Sequence, residues 1–211
     1  MPTTSRRALI VIDVQNEYVT GGLPIEYPDV QTSLANIGRA IDGARAASVP
    51  VVVVQNFAPP DAPLFARGTQ GGDLHPVVAS RASDHYVEKS LASAFADTDL
   101  AQWLAEHQID TLTVAGYMTH NCVSSTIFHA LHAGFSVEFL ADASGAVSYS
   151  NSAGVVSAEA IHHAFSVVLE SRFAAVIDTD RWIASLADGT PFDHDSIYAS
   201  NQRARSGAAA A

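Results

Sequence analysis

The stretch Ala8-Leu9-Ile10-Val11-Ile12-Asp13-Val14 is a short, mostly β-branched apolar run that is interrupted by one aspartate. A second run, residues 49–57, is almost wholly apolar, and residues 30–47 between the two runs carry apolar side chains at helical spacing. Apolar runs that alternate with helices are typical of a parallel sheet that is covered on both faces. The pattern therefore predicts an α/β fold that begins with a strand, a crossover helix and a second strand.

The same alternation continues to residue 187, and it predicts a doubly wound, mostly parallel, six-stranded sheet with helices on both faces. The predicted strands are residues 8–14, 49–57, 85–88, 111–116, 136–141 and 174–177, and the predicted helices are residues 30–47, 99–107, 122–133, 157–170 and 180–187. We expect one domain over residues 1–190 and a flexible C-terminal tail over residues 191–211. Residues 58–83 are rich in proline and glycine, and we expect this long loop to overhang the functional site.

The composition excludes several classes of function. A formal net charge of −11 disfavours binding to nucleic acid phosphates and to anionic membranes. The single cysteine cannot form an internal disulfide. Arg6 and Arg7 precede five apolar residues as in a signal peptide, but Asp13 ends the run after too few residues for secretion or membrane spanning. We therefore expect a cytoplasmic protein.

Three residues with complementary chemistry follow three different predicted strands. Asp13 ends the first strand, Lys89 follows the third, and Cys122 begins the helix after the fourth. Ligands bind at the carboxyl ends of parallel strands, where a helix N-terminus and a lysine would favour a cysteine thiolate and an aspartate could accept its proton. Taken singly, the cysteine is more typical of a buried apolar residue and the lysine of a solvated surface, and the aspartate is as typical of a turn as of catalysis. Their joint placement favours a nucleophilic site.

Three longer motifs surround these residues. They are Val11-Ile12-Asp13-Val14-Gln15-Asn16, then Val87-Glu88-Lys89-Ser90 with Ser93-Ala94-Phe95, and Gly116-Tyr117-Met118-Thr119-His120-Asn121-Cys122-Val123-Ser124-Ser125-Thr126. In order and spacing they resemble the signatures of the isochorismatase-like cysteine hydrolases, a family that includes nicotinamidase and N-carbamoylsarcosine amidohydrolase. The resemblance extends over residues 7–186.

The resemblance implies a catalytic triad of Asp13, Lys89 and Cys122. It also implies a cis peptide bond between Tyr117 and Met118. That bond would direct the backbone N–H groups of Met118 and Cys122 toward the oxygen of a tetrahedral intermediate as an oxyanion hole.

The sequence departs from the metal-dependent nicotinamidases. Those enzymes carry an Asp-x-His pair after the second strand, where this chain has Asn56 and Ala58. The histidine pairs at 129 and 132 and at 162 and 163 lack a clear third ligand. The turn after the first strand has no glycine cluster for a dinucleotide. We therefore expect no metal and no cofactor.

Residues near the three motifs are candidates for substrate binding. They are Gln15, Asn16, Phe57, Tyr117, His120 and Tyr149. In the long loop, Phe65, Arg67 and His75 are further candidates, and Arg67 would either meet an anionic group of the substrate or be simply exposed.

The expected function is hydrolysis of a small amide, lactam, imide or carbamoyl compound by Cys122 through a thioester intermediate. Retention of the cysteine favours this chemistry over cleavage of a vinyl ether, as in isochorismatases, which would use Asp13 as the acid. A thiol-bearing interaction protein without catalysis remains the alternative outside enzymology. The sequence does not identify the substrate, and the resemblance implies a homo-oligomer, a dimer or a tetramer.

Overall fold

The computed structural model describes residues 5–207, so the outermost residues of the predicted domain (1–4) and of the predicted tail (208–211) lie outside the described part. Six parallel strands form the central sheet in the order β3-β2-β1-β4-β5-β8. They are β1 (Arg7–Ile12), β2 (Val51–Asn56), β3 (His85–Lys89), β4 (Thr111–Tyr117), β5 (Ser136–Gly145) and β8 (Ala175–Ile177). The doubly wound fold is confirmed, and the sheet is parallel throughout.

Helices cover both faces of this sheet. The seven α-helices are α1 (Val30–Ala46), α2 (Pro76–Ala79), α3 (Leu100–Glu106), α4 (Ser124–His132), α5 (Ala158–Glu170), α6 (Thr179–Ser185) and α7 (Ile197–Arg205). Successive side chains of a strand point to opposite faces, so Leu9 and Val11 pack with α1 and α6, whereas Ile10 and Ile12 pack with α3 and α4. Both faces of β1 are therefore buried, which explains its continuous apolar sequence.

Besides the four-residue helix α2 inside the predicted long loop, two elements lie where the sequence predicts none. A hairpin of β6 (Tyr149–Asn151) and β7 (Gly154–Val156) interrupts the connection between β5 and α5, and all six of its residues are exposed. Helix α7 lies within the predicted tail, starts at a Ser196 side chain that accepts a hydrogen bond from Ala199 N–H, and buries none of its residues. Because neither element buries an apolar face, neither leaves the periodic pattern that sequence analysis detects.

A buried ion pair lies near the amino ends of the strands. The Arg7 guanidinium donates two hydrogen bonds to Glu138 Oε1, at 2.8 and 3.0 Å, and Glu138 Oε2 accepts from Thr113 and Trp182. These contacts link β1, β4, β5 and α6 and leave the carboxyl ends of the strands free. Within residues 5–207 no helix has the length and apolar character needed to cross a membrane.

Candidate active site

The carboxyl ends of β1, β3 and β4 bring Asp13, Lys89 and Cys122 together, close to the point where the strand order reverses between β1 and β4. Asp13 follows β1 with a positive φ of 52°, which turns the chain immediately after the strand. Gly116 allows β4 to lie close to β1 there, since a Cβ atom at this position would be 2.0 Å from the Ile12 carbonyl oxygen. Backbone geometry at two positions therefore brings the ends of β1 and β4, and with them Asp13 and the Cys122 turn, close together.

Lys89 is the only lysine of the chain, and its ammonium contacts both other members of the set. Its Nζ lies 2.7 Å from Asp13 Oδ2, and both side chains are fully buried. The same Nζ lies 3.3 Å from Cys122 Sγ and 3.3 Å from Asn56 Oδ1. Lys89 therefore holds the aspartate and the cysteine on either side of one positive charge.

The carboxylate of Asp13 can accept further hydrogen bonds. Among the described residues, neither carboxylate oxygen of Asp13 has a donor that satisfies hydrogen-bond geometry, although Oδ2 forms the ion pair with Lys89. Buried polar atoms in folded proteins are normally hydrogen-bonded, and the exceptions call for an explanation. A thiol proton, a substrate N–H or a water would each occupy such an acceptor.

Burial determines the resting protonation of the site. Burial, and next the Asp13 carboxylate, raise the pKa of the Cys122 thiol to about 12 against the opposing effect of Lys89. Burial also raises the pKa of Asp13, while Lys89 opposes that shift. For Lys89 burial lowers the pKa, but Asp13 and Cys122 more than offset this, and the net shift is upward. At neutral pH the resting site therefore holds an ammonium and a neutral thiol, in contrast to the thiolate expected from sequence.

We expect alkylation of Cys122 by iodoacetamide to be about 50-fold slower in the native chain than in the urea-unfolded chain at about pH 8. A pKa of about 12 against an ordinary value of 9.0 lowers the thiolate fraction about 1000-fold, and the greater nucleophilicity of the more basic thiolate returns about 20-fold. Because the chain has one cysteine, the mass of the intact protein reports the rate directly. A native rate that reaches a plateau below about pH 8 would contradict the protonated resting state.

The turn that carries Cys122 has the cis peptide bond implied by the family resemblance. The Tyr117–Met118 peptide bond is cis, and Thr119–Val123 form a π-helical turn between β4 and α4. The Met118 carbonyl accepts hydrogen bonds from Asn121 N–H and Val123 N–H, whereas no backbone carbonyl of the described residues accepts one from Met118 N–H. The predicted oxyanion donor at Met118 is therefore available.

Two of the predicted substrate-binding side chains are committed to the interior. Gln15 is fully buried; its amide nitrogen donates to the carbonyls of Asn56 and Gly72, and its oxygen accepts from Asn56 N–H. Tyr117 is also fully buried, and its hydroxyl lies 2.7 Å from Ser33 Oγ on α1. Neither side chain is placed to touch a substrate. Gln15 instead orients Asn56, the residue that accepts from Lys89.

The long loop is attached to the site by its backbone. Asn16 N–H donates to Asp73, Glu17 N–H to Gly71, and the Asn16 side chain donates to Gln70. Two of the candidate residues in this loop, Phe65 and His75, have structural contacts. The Phe65 ring lies 5.0 Å from the Tyr18 ring, and His75 Nδ1 accepts a hydrogen bond from Val77 N–H at the start of α2. Residues 58–83 therefore form a wall beside Asp13, in keeping with the predicted position of the loop.

A cavity of about 420 Å³, here named the Lys89 cavity, lies between the first part of the long loop and the segment that follows β3. Phe57, Arg67, Glu88, Lys89 and Asp97 are among its lining residues. The Arg67 guanidinium lies 3.8 Å over the Phe57 ring and forms hydrogen bonds of 3.2 and 2.7 Å with the two carboxylate oxygens of Glu88. Phe57 thus lines a cavity, and Arg67 already has an anionic partner.

His120, in the π-helical turn that carries Cys122, forms a pair with Tyr149. His120 Nε2 lies 2.9 Å from the Tyr149 hydroxyl, and the two rings meet edge to face. Burial lowers the pKa of His120, so its imidazole is neutral at pH 7. Burial raises the pKa of Tyr149, so its hydroxyl is neutral as well. The structure brings both predicted residues to the site.

Sequence analysis missed Tyr18. This residue lies in a 3₁₀ turn (Asn16–Tyr18) just after Asp13, is almost fully buried, and packs between Phe65 and Tyr117. Burial, followed by the negative charge of Asp13, raises its pKa well above the ordinary value. Its position five residues after Asp13 was the available signal.

No cluster of three histidine, cysteine, aspartate or glutamate side chains that could hold a metal occurs between residues 5 and 207. At the two positions where a metal pair was considered, the Asn56 side chain accepts from Lys89 and the Ala58 N–H donates to the Phe65 carbonyl. Asn56 therefore has a role in positioning the lysine.

Comparisons with known proteins identify the family to which the chain belongs. A crystal structure of an isochorismatase-family protein from Burkholderia xenovorans LB400 is 72% identical, with a TM-score of 0.96, and the alignment covers 97% of this chain and 99% of that one. A secreted isochorismatase effector of Verticillium dahliae is 33% identical over 68% of this chain and 74% of its own length. The nicotinamidase of Escherichia coli K12 is 29% identical over 64% of this chain and 81% of its own. Because the model of the isochorismatase domain also matches residues 7–181, the chain belongs to the isochorismatase family of hydrolases.

Proposed function

We propose that this hydrolase cleaves the carbon–nitrogen bond of a small amide, lactam, imide or carbamoyl compound, without a metal and with Cys122 as the nucleophile. The observation that carries the proposal is the contact of one buried ammonium with both a carboxylate and a thiol: Lys89 Nζ is 2.7 Å from Asp13 and 3.3 Å from Cys122. A base beside a thiol, together with a fixed cation, is the set of groups that acyl transfer requires.

In the first half of the reaction Asp13 takes the proton from the Cys122 thiol while the sulfur forms a bond to the carbonyl carbon. The electron pair of the carbonyl double bond moves to oxygen, where the N–H groups of Met118 and Cys122 donate to it. Asp13 then gives the proton to the leaving nitrogen, and the carbon–nitrogen bond breaks. Ammonia or an amine departs, and the acyl group remains on sulfur as a thioester.

In the second half a water molecule takes the place of the amine. Asp13 accepts one proton from that water as its oxygen adds to the thioester carbon, and the carbon–sulfur bond breaks as the acid forms. The proton on Asp13 returns to the sulfur, which regenerates the neutral thiol. Throughout the cycle Lys89 keeps its charge, and its upward-shifted pKa supports that role.

Two findings support amide chemistry. The chain is similar to a nicotinamidase, and the Met118 N–H has no backbone acceptor within residues 5–207 and can therefore serve an oxyanion. Cleavage of a vinyl ether is the second candidate, because burial raises the pKa of Asp13 and thus suits it to donate a proton. That reaction needs no nucleophile, so its dependence on Cys122 separates the two candidates.

A panel of small amides, lactams, imides and carbamoyl compounds tests the proposal, with release of ammonia or amine as the readout. We expect at least one class to be hydrolysed and, when hydroxylamine is added, the acyl group to appear as a hydroxamate because hydroxylamine competes with water for the thioester. Turnover without hydroxamate, or no release from any class, would contradict the mechanism.

A further inference from the structure

The charges around the site bear on which amides it can accept. Lys89, the only lysine, already contacts Asp13, Asn56 and Cys122. The segments that follow the strands around Cys122 (residues 13–19, 56–75, 116–123 and 144–151) contain one arginine, Arg67. Both terminal nitrogens of Arg67 bond to Glu88. A carboxylate on the substrate would therefore find no cation without an existing partner on these segments.

The histidines near the nucleophile do not supply a positive charge. Burial lowers the pKa of His120, and the groups that face it are the rings of Tyr149 and Phe165. His162 lies behind the turn with Nδ1 2.9 Å from Thr119 Oγ1, and burial lowers its pKa to about 4. Both imidazoles are neutral at pH 7. His120 Nδ1 is buried and has no hydrogen-bond partner among residues 5–207, so it remains a neutral polar contact.

Acidic groups outnumber the cation in the Lys89 cavity. Glu88 and Asp97 line it beside Arg67, and a further acid, Glu17, follows Asp13 in the chain and accepts hydrogen bonds from the backbone N–H groups of Gly22 and Phe65. The whole chain has a formal net charge of −11. A carboxylate on the substrate would therefore lose its hydration without gaining a cationic partner, and the surrounding acidic groups would repel it.

We propose that this site is selective for uncharged amides and discriminates against amides that also carry a carboxylate. The selectivity comes from paired cations and neutral polar side chains, with the His120–Tyr149 pair available for a second, uncharged polar group of the substrate. This inference rests on the proposed amide hydrolysis and defines the class of substrate for it.

A matched pair of substrates tests the selectivity. Isophthalamide and 3-carbamoylbenzoate share one shape, but only the second is an anion at about pH 8. We expect kcat/KM for isophthalamide to be at least about tenfold higher, after division by two for its equivalent amides, because a buried unpaired carboxylate costs more than one factor of ten in binding. Equal values, or a preference for the anion, would overturn the selectivity while leaving amide hydrolysis intact. Hydrolysis of neither compound, with no competition by either against an active amide, would overturn it as well.

The Glu88→Gln variant tests the origin of the selectivity. It frees the Arg67 guanidinium at the exposed edge of the Lys89 cavity, so we expect the preference for isophthalamide to fall several-fold, mainly through a lower KM for 3-carbamoylbenzoate. Glu106→Gln removes another exposed acid, at the end of α3 and outside the Lys89 cavity, and is the matched control, for which the ratio should not change. An unchanged ratio in Glu88→Gln would refute the role of the Arg67–Glu88 pair.

Discussion

Replacing Cys122 with alanine is expected to lower kcat for amide hydrolysis by about 10⁴-fold or more, because loss of the nucleophile removes the covalent route entirely. The substituted side chain is small and lies at the edge of the core, so the fold should persist. Ammonia release at saturating amide measures the activity, and urea unfolding measures the stability. The expected outcome is an inactive protein with a free energy of unfolding within about 1–2 kcal/mol of the parent.

Cys122→Ser is the matched variant for this prediction. Serine keeps a nucleophilic atom in the same turn, but a hydroxyl is far less acidic than a thiol, and Asp13 is too weak a base to deprotonate it efficiently. A comparable loss in both variants would show that sulfur chemistry is needed rather than the shape of the side chain. Normal amide turnover by Cys122→Ala would refute the thioester, and an alanine variant that still cleaves a vinyl ether would assign the acid role to Asp13 alone.

The sequence was sufficient to predict the framework of the site. Strand β1 is buried on both faces, so its apolar run stands out, and the aspartate that ends it marks a carboxyl end. The same reasoning placed Lys89 after β3 and Cys122 after β4, and in the structure their polar atoms lie within 3.3 Å of each other. Topology alone brings such residues together, because parallel strands present all their carboxyl ends at one edge.

The properties that depend on tertiary packing could not be predicted from the sequence. A thiolate at Cys122 was a reasonable expectation from a helix N-terminus and a lysine, but the degree of burial decides the pKa, and burial follows from the assembled core. Likewise, Gln15 and Tyr117 sit in motifs that suggest substrate contact, yet their polar atoms are satisfied by Asn56, Gly72 and Ser33. Side-chain direction at a strand end is not fixed by the spacing of motifs.

Replacing Lys89 with methionine is expected to destabilise the fold by about 3–5 kcal/mol at neutral pH, in addition to abolishing activity. The Asp13 carboxylate would stay fully buried with no opposite charge, and breaking a buried pair by removing one partner is strongly destabilising. Burial then raises the pKa of Asp13 further above its unfolded value, so the folded state binds the extra proton. The contribution of Asp13 to the stability of the variant is therefore most favourable at low pH and is lost as pH rises. The free energy of unfolding, measured with urea, should fall short of that of the parent by less at about pH 5 than at about pH 8.

The double variant Asp13→Asn/Lys89→Met separates stability from catalysis. It removes both charges and keeps nearly the same volume, and a buried ion pair replaced by neutral groups of similar size often costs little. We expect the double variant to recover most of the stability lost in Lys89→Met and to remain inactive, which gives a large coupling free energy in the double-mutant cycle. If the two single losses simply add, Asp13 and Lys89 do not interact as a charged pair. If the double variant recovers its stability but stays inactive, the charged pair serves the chemistry, because the fold is about equally stable without it.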